Sequence, residues 1–161
     1  MNIQASYALL EKILVLKKST LFASVTTSEL RAVAAVAEEL HFRPGELIVK
    51  EKDIGDALYL IKSGSVTISK LVGGERSVDL ARMEEGECFG EMAAIDEEVR
   101  SATVSALQEC SVLRICKENL QDVLRENPQI GIEFLRIFVK RLRSANEKIE
   151  VLLSQSAVGV K

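Results

Sequence analysis

The sequence predicts a mainly β domain, an antiparallel sandwich or barrel, with helices at both ends. Three observations predict it. From His41 to Cys116 short apolar runs alternate with turn residues. On either side of that stretch apolar residues recur at helical spacing. The 161 residues, 47% hydrophobic and 28% charged, suit one soluble domain with a sizeable core and an added helix or two.

Taken in order, Leu9, Leu10, Ile13, Leu14 and Leu16 crowd one side of a first helix that ends near Lys17 and Lys18. Thr26-Thr27-Ser28-Glu29 offers a hydroxyl N-cap and an early acid for a second helix. Its alanine-rich run, ELRAVAAVAEEL, extends the predicted helix to Leu40. Pro44-Gly45 then turns the chain ahead of an apolar strand. Strands follow on both sides of Ser63-Gly64 and of the Gly73-Gly74 hairpin, with Val66 and Ile68 facing opposite to Thr67 and Ser69. A further pair flanks Gln108-Glu109. After Lys117 the helical period returns in KENLQDVLREN, which stops at Asn127-Pro128. The last helix carries Leu135, Phe138, Leu142, Ala145, Ile149 and Leu152 at alternating spacings of three and four, a heptad seam flanked by charges. We read it as a parallel dimer interface, because it extends to Leu153, beyond what one domain could cover.

A formal net charge of -3 gives none of the basic footprint of a non-specific nucleic-acid binder. The N-terminal run is broken by Glu11 and Lys12 and lacks the form of a signal peptide, and no stretch reaches the ~18 apolar residues of a membrane span. Cys88, Cys110 and Cys116 form no CxxC pair, and the single His41 lies beside none of them, so reduced thiols in a cytoplasmic protein are expected. Neither a metal cluster nor a nucleophile–base pair is legible, and the chain is expected not to be an enzyme.

The segment CFGEMAAIDEEVRSATV, residues 88–104, is the one that reads as chemistry. Gly90 lets backbone N–H groups approach a ligand, and the short helix-prone run after it offers unpaired donors to an anion. Arg100 adds a planar fork suited to phosphate. Glu91, nine positions earlier, accepts only, and suits hydroxyl donors. Together they suggest a ligand with a phosphate at one end and a sugar hydroxyl beside it.

This stretch resembles the phosphate-binding cassette of cyclic nucleotide-binding domains. FRPGELIVKEKDIGDALYLIKSGSVTIS is similar to the strands that precede the cassette in that family. NPQIGIEFLRIFVKRLRSANEKIEVLL is similar to the dimerising C-helix of the bacterial catabolite activator proteins, and the sensor domains of protein kinase A regulatory subunits share the roll. The resemblance covers roughly residues 21–153 and implies a β-roll of about eight antiparallel strands, a double-stranded β-helix or jelly roll, with N-terminal helices and a long C-terminal helix.

It also implies roles. Glu91 matches the acid that accepts from the ribose 2′-hydroxyl, Arg100 the arginine on the cyclic phosphate, and Ser101 the next phosphate contact. Gly90 and Met92 match positions that supply backbone contacts. Asn146 falls where the activators place a hydroxyl residue against adenine; Ala145 replaces a second one. Two departures stand out: Lys52 replaces the usual turn glycine, and the cassette tip carries Asp96, Glu97 and Glu98 in place of a proline.

The expected organisation is a helical extension over 1–20, a nucleotide-binding β-roll over 21–126 and a lid or dimerisation helix over 127–155. The expected function is cyclic nucleotide sensing, with cAMP favoured over cGMP and no other cofactor, coupled to movement of the last helix. A homodimer and a downstream protein are the expected partners. No membrane partner is expected, and no DNA either, because the sequence ends eight residues after Leu153 with no DNA-binding domain, unless it is a truncated piece of a longer chain. The alternative is a β-roll that has kept dimerisation and lost useful nucleotide binding. A cyclic dinucleotide shares the phosphate logic but fits the compact cassette poorly. Whether Arg100 is free or tied to Asp96, Glu97 or Glu98 separates the first two readings.

Overall fold

In the computed structural model, which describes residues 3–96 and 99–158, the first helix α1 spans Ile3–Lys18 and buries Ile13 and Leu16. The second, α2 (Thr27–Val36), begins where its capping residues dictate. The Thr26 hydroxyl accepts from the Glu29 N–H at 3.3 Å, and the Glu29 carboxylate accepts from the Thr26 N–H at 3.1 Å. It buries Leu30, Val33 and Ala34.

This helix does not reach Leu40, as its alanine-rich sequence predicts. It stops at Val36, and Glu38–Phe42 forms strand β1, paired from Glu38↔Arg114 to Phe42↔Cys110. Alanine-rich propensity is worth less than ~1 kcal/mol per residue. A five-residue ladder, with Leu40 and Phe42 packed on the roll interior, outweighs it.

The strands β2 (Leu47–Val49), β3 (Ala57–Ser63), β4 (Ser65–Val72), β5 (Arg76–Glu84), β6 (Cys88–Phe89), β7 (Thr103–Ala106) and β8 (Cys110–Cys116) follow, with the short helix α3 (Glu91–Ile95) between β6 and β7. Two four-stranded antiparallel sheets result, in the orders β1-β8-β3-β6 and β2-β7-β4-β5. This is the antiparallel β-roll that the sequence predicts. Its helices lie on one side.

Strand β3 shows why the roll and the helices form one unit. Ala57, Tyr59 and Ile61 face inward with Val66, Phe89, Val104 and Val112, while Leu58 and Leu60 face outward. The outward residues join Leu113 and Ile115 against Leu16, Phe22, Leu30, Leu120, Ile130 and Phe134 from the helical side. A strand buried on both faces reads as a continuous apolar run, which is what ALYLI is. β5, on an outer edge, is exposed along most of its length.

Helix α4 (Lys117–Glu126) ends at Asn127, and α5 (Pro128–Val158) starts on a proline that its first turn accepts. Ile130 and Phe134 anchor α5 in the helical core, whereas residues 141–155 are exposed. Phe138 is half-buried against the same core, edge-to-face with Phe134 at 6.3 Å. The seam read from sequence thus has one of its members turned toward the domain. Leu135 (63% exposed) and Leu142 (62%) face away from it. Among the described residues no helix is long and apolar enough to cross a membrane, and the three cysteines are free thiols.

Gly64, between β3 and β4, has φ +85°, and a Cβ there would sit 2.9 Å from the Cys110 Cα and closer still to the Glu109 carbonyl oxygen. Gly73, at φ +65°, has open space around it. Gly64→Ala should therefore cost at least ~2–3 kcal/mol in urea unfolding, and Gly73→Asn less than ~0.5 kcal/mol, since asparagine tolerates the left-handed region.

Candidate nucleotide-binding site

The site begins at the end of the two-residue strand β6. Phe89 pairs with Tyr59 in register, and the two rings stack with centroids 5.0 Å apart and planes 6° from parallel. Gly90 then takes φ +78°, a left-handed turn that carries the chain from β6 into α3. A Cβ on Gly90 would lie 2.9 Å from the Ala57 carbonyl oxygen and closer still to Arg100 Nη1. Gly90 thus serves both as a turn and as the space in which an arginine lies against the backbone.

That arginine is reached from the other side of the segment. Val99 bridges Ile54, the Arg100 N–H donates to the Asp53 carbonyl at 2.8 Å, and the Lys52 N–H donates to the Arg100 carbonyl at 2.9 Å. Lys52 keeps the left-handed backbone, φ 72°, that the family's glycine would favour. The turn is retained at a cost of about 1 kcal/mol.

The Arg100 side chain is only 5% exposed. Its Nη1 donates to the Gly90 carbonyl at 3.2 Å and its Nη2 to the Ala57 carbonyl at 2.7 Å. Nη2 also lies 3.5 Å from Asp56 Oδ1, and the guanidinium sits 5.6 Å from the Tyr59 ring centroid. The other Asp56 oxygen accepts from Arg114 Nη2 at 2.8 Å. Burial pulls the Arg114 pKa down, but its bonds to Asp56 and Tyr59 outweigh that and hold it above the usual arginine value. Asp56 is therefore shared between two cations.

Asp56, 44 positions upstream, supplies a carboxylate beside Arg100. Glu97 and Glu98 lie outside the described residues.

Glu91 opens α3, and its side chain is 15% exposed. Its Oε1 accepts from Arg141 Nη1 at 2.9 Å, which ties the cassette to α5. Arg141 is a residue that the sequence reading did not single out. It continues the stripe of Phe134 and Phe138, stepping by four and then three, so the helix carries it to the domain side, where it lies 6.0 Å from the Phe138 ring. A basic residue prolonging an apolar core stripe was the available signal. Cys88, just before, is buried, and its thiol is pushed up to about 12 by that burial and by the nearby Glu91 charge.

The structure thus brings Gly90, Glu91 and Arg100 together. Met92 (70% exposed) and Ser101 border them at the surface. It does not bring in Asn146. That residue is exposed on α5, five positions after Arg141 and so about 140° round the helix from it. Chemically the arrangement offers an acceptor-only carboxylate and an arginine fork on either side of a glycine turn. These are groups that bind a hydroxyl-bearing anion.

The comparisons with known proteins agree with that geometry. Residues 39–127 match the family model described as the cyclic nucleotide-binding domain. The chain is 29% identical over 142 residues to the Cyclic AMP receptor protein of Thermus thermophilus, which covers 88% of this chain and 66% of that protein. It is 34% identical over 105 residues to a cGMP-dependent protein kinase of Plasmodium berghei, across 65% of this chain and 12% of the kinase. Among solved structures, the Catabolite Activator Protein of Thermus thermophilus superposes with a TM-score of 0.74 at 29% identity, over 83% of this chain and 63% of that one. The chain therefore spans about two thirds of the length of the bacterial regulators it matches. From the β-roll, the cassette turn and the matched residues together, the chain belongs to the cyclic nucleotide-binding domain family.

Proposed function

We propose that this domain senses cAMP in preference to cGMP and passes the signal to its long C-terminal helix as a binding module, not as an enzyme. One observation carries the reading: Glu91, the residue suited to a ribose hydroxyl, is already bonded to Arg141 of α5. A ligand hydroxyl donating to Glu91 acts on the same oxygens that hold the helix. The cyclic phosphate falls to Arg100 and to the N–H or hydroxyl of Ser101, with Gly90 and Met92 contributing backbone. To meet it, Arg100 exchanges its Gly90 and Ala57 carbonyls for phosphate oxygens, while Asp56 remains as its counter-ion.

Linkage then does the rest. A nucleotide shifts α5 only by the difference in its affinity for the two states of the Glu91–Arg141 contact. Preference for cAMP is supported by the relatives. The cAMP receptor matches this chain across 88% of its length, whereas the cGMP-dependent kinase matches 65%. Dimerisation through α5 is part of the proposal, and a downstream protein receives the output.

A second reading has its own observation. Arg100 is buried with both terminal nitrogens bonded to backbone carbonyls, as in a purely structural arginine. A dimerising β-roll without nucleotide binding would look the same. Calorimetric titration of cAMP and cGMP into nucleotide-stripped protein separates the two. The sensor reading expects saturable binding, stronger for cAMP, that weakens by about 2–5 kcal/mol, roughly 30- to several-thousand-fold, in Arg100→Ala. An absence of heat with either nucleotide, together with an unchanged melting temperature, would sink it.

Arg141→Ala tests the coupling. The half-exposed pair should contribute no more than about 0.5–1 kcal/mol to stability. Hydrogen exchange along α5 should respond to cAMP in the parent and lose most of that response in the variant. An undiminished response would rule out Arg141 as the link.

A further inference from the structure

The outer face of α1 departs from the pattern of a solvent-facing helix. Such a helix turns charged and polar residues outward. Residues 3–10 carry no charge, and Ile3, Tyr7, Leu10 and Leu14 are between 52% and 76% exposed. Their spacings of four, three and four set them in one stripe, about 16 Å long. The helix rests on the domain through Ile13 and Leu16, so the stripe is not what holds it there.

A groove between α1 and α2 runs beside the stripe. Ala5, Ser6, Leu9, Leu10 and Ile13 line it from α1, and Arg31 lines it from α2. Leu10 belongs to both, which joins stripe and groove into one apolar surface with a single cation at its rim. Arg31 is exposed, and among the described residues its guanidinium has neither an ion pair nor a hydrogen-bond acceptor. The other charges nearby are engaged. Glu11 pairs with Lys62 at 2.8 Å, and Glu29 closes the cap of α2. Lys12 donates to the Ala37 carbonyl, and Lys17 to the Val25 carbonyl at 2.8 Å. Lys18 lies one turn beyond the end of the stripe.

These charges select the occupant. Glu11 and Glu29 are the only carboxylates of α1 and α2, and both are taken, so a second copy placed on this face has none to offer Arg31. A bilayer favours cations along the flanks of an apolar stripe. Residues 3–10 supply none, while Lys12 and Lys17 turn inward. A groove also receives a ridge, which a flat lipid surface does not present. An amphipathic helix presents one, with side chains at spacings of three and four. We propose that the α1–α2 surface docks a helix of a different protein, whose apolar ridge covers Tyr7 and Leu10 and whose carboxylate meets Arg31. Tyr7 suits the centre of such a contact, being large, apolar in body and low in conformational entropy. The inference goes beyond the nucleotide reading and does not rest on it.

The test uses the full chain and a display library of helical peptides about 16 residues long, enough to span the stripe. Selection should enrich peptides with apolar residues at spacings of three and four and an aspartate or glutamate beside them. For the leading peptide, fluorescence anisotropy should show affinity falling by about tenfold or more in Tyr7→Ser/Leu10→Ser. Arg31→Glu should weaken it by about tenfold, and exchanging the peptide's carboxylate for lysine should restore most of that loss. All three residues are exposed, so the melting temperature should not move. Several results would overturn the proposal: peptides that bind the double-serine variant as well as the parent, enrichment without carboxylates, or no rescue by the charge exchange. Self-association that Tyr7→Ser abolishes would assign the face to a second copy, and Tyr7-dependent binding to phosphatidylserine vesicles would assign it to lipid. A chain that takes the peptide as expected yet gives no heat with cAMP would keep this inference and remove the sensor reading.

Discussion

A buried guanidinium governs how the functional segment is built. Arg100 lies against Gly90 with its nitrogens on the carbonyls of Gly90 and Ala57, and a side chain on Gly90 would occupy the same space. Charge in so enclosed a place persists only when it is paired and hydrogen-bonded. The pairing comes from Asp56, which also holds Arg114. Strand β3, bearing Ala57 and Tyr59, therefore has to run beside β6, and the turn at Lys52 has to bring Asp53 onto the Arg100 backbone. The two-sided burial of β3 locks that arrangement into both cores.

From this follows the division of labour between the two ionic links. Arg100 is buried, held by the carbonyls of Gly90 and Ala57, and joins the cassette to the roll, while its Asp56 carboxylate is 59% exposed. Glu91 with Arg141, 15% and 43% exposed, joins the cassette to α5. Partly exposed pairs of this kind are weak and readily exchanged. In the proposed function a ligand competes at the Glu91–Arg141 link, and the element that this link holds is a helix whose residues 141–155 are exposed.

Much of this was legible in the sequence, and the rest failed for definite reasons. The cassette is local: turn glycine, acid and arginine stand within a dozen residues, and their types alone suggest a phosphate beside a hydroxyl. The hairpins at Gly64 and Gly73-Gly74, and the end of α4 at Asn127, are likewise set by short-range backbone chemistry. The partner of Arg100 was not legible, because Asp56 is 44 positions away and reaches it only through strand pairing. The end of α2 was misjudged because alanine propensity carries no knowledge of β8 waiting to pair with Glu38–Phe42. One member of the α5 seam, Phe138, is equally apolar as a core residue or an interface residue, and only its packing on Phe134 shows that it faces the domain.

The most direct test of the account is to watch Arg100 itself. In the full chain labelled with 15N at arginine, the guanidinium signals of Arg100, assigned with the Arg100→Lys variant, would be followed by NMR as cAMP is added. The account predicts that they move to a new saturated position as the carbonyls of Gly90 and Ala57 give way to phosphate oxygens, while Arg114 stays on Asp56. Saturating cAMP that leaves the Arg100 signals in place would contradict it, and would make this arginine a structural member of the roll alone.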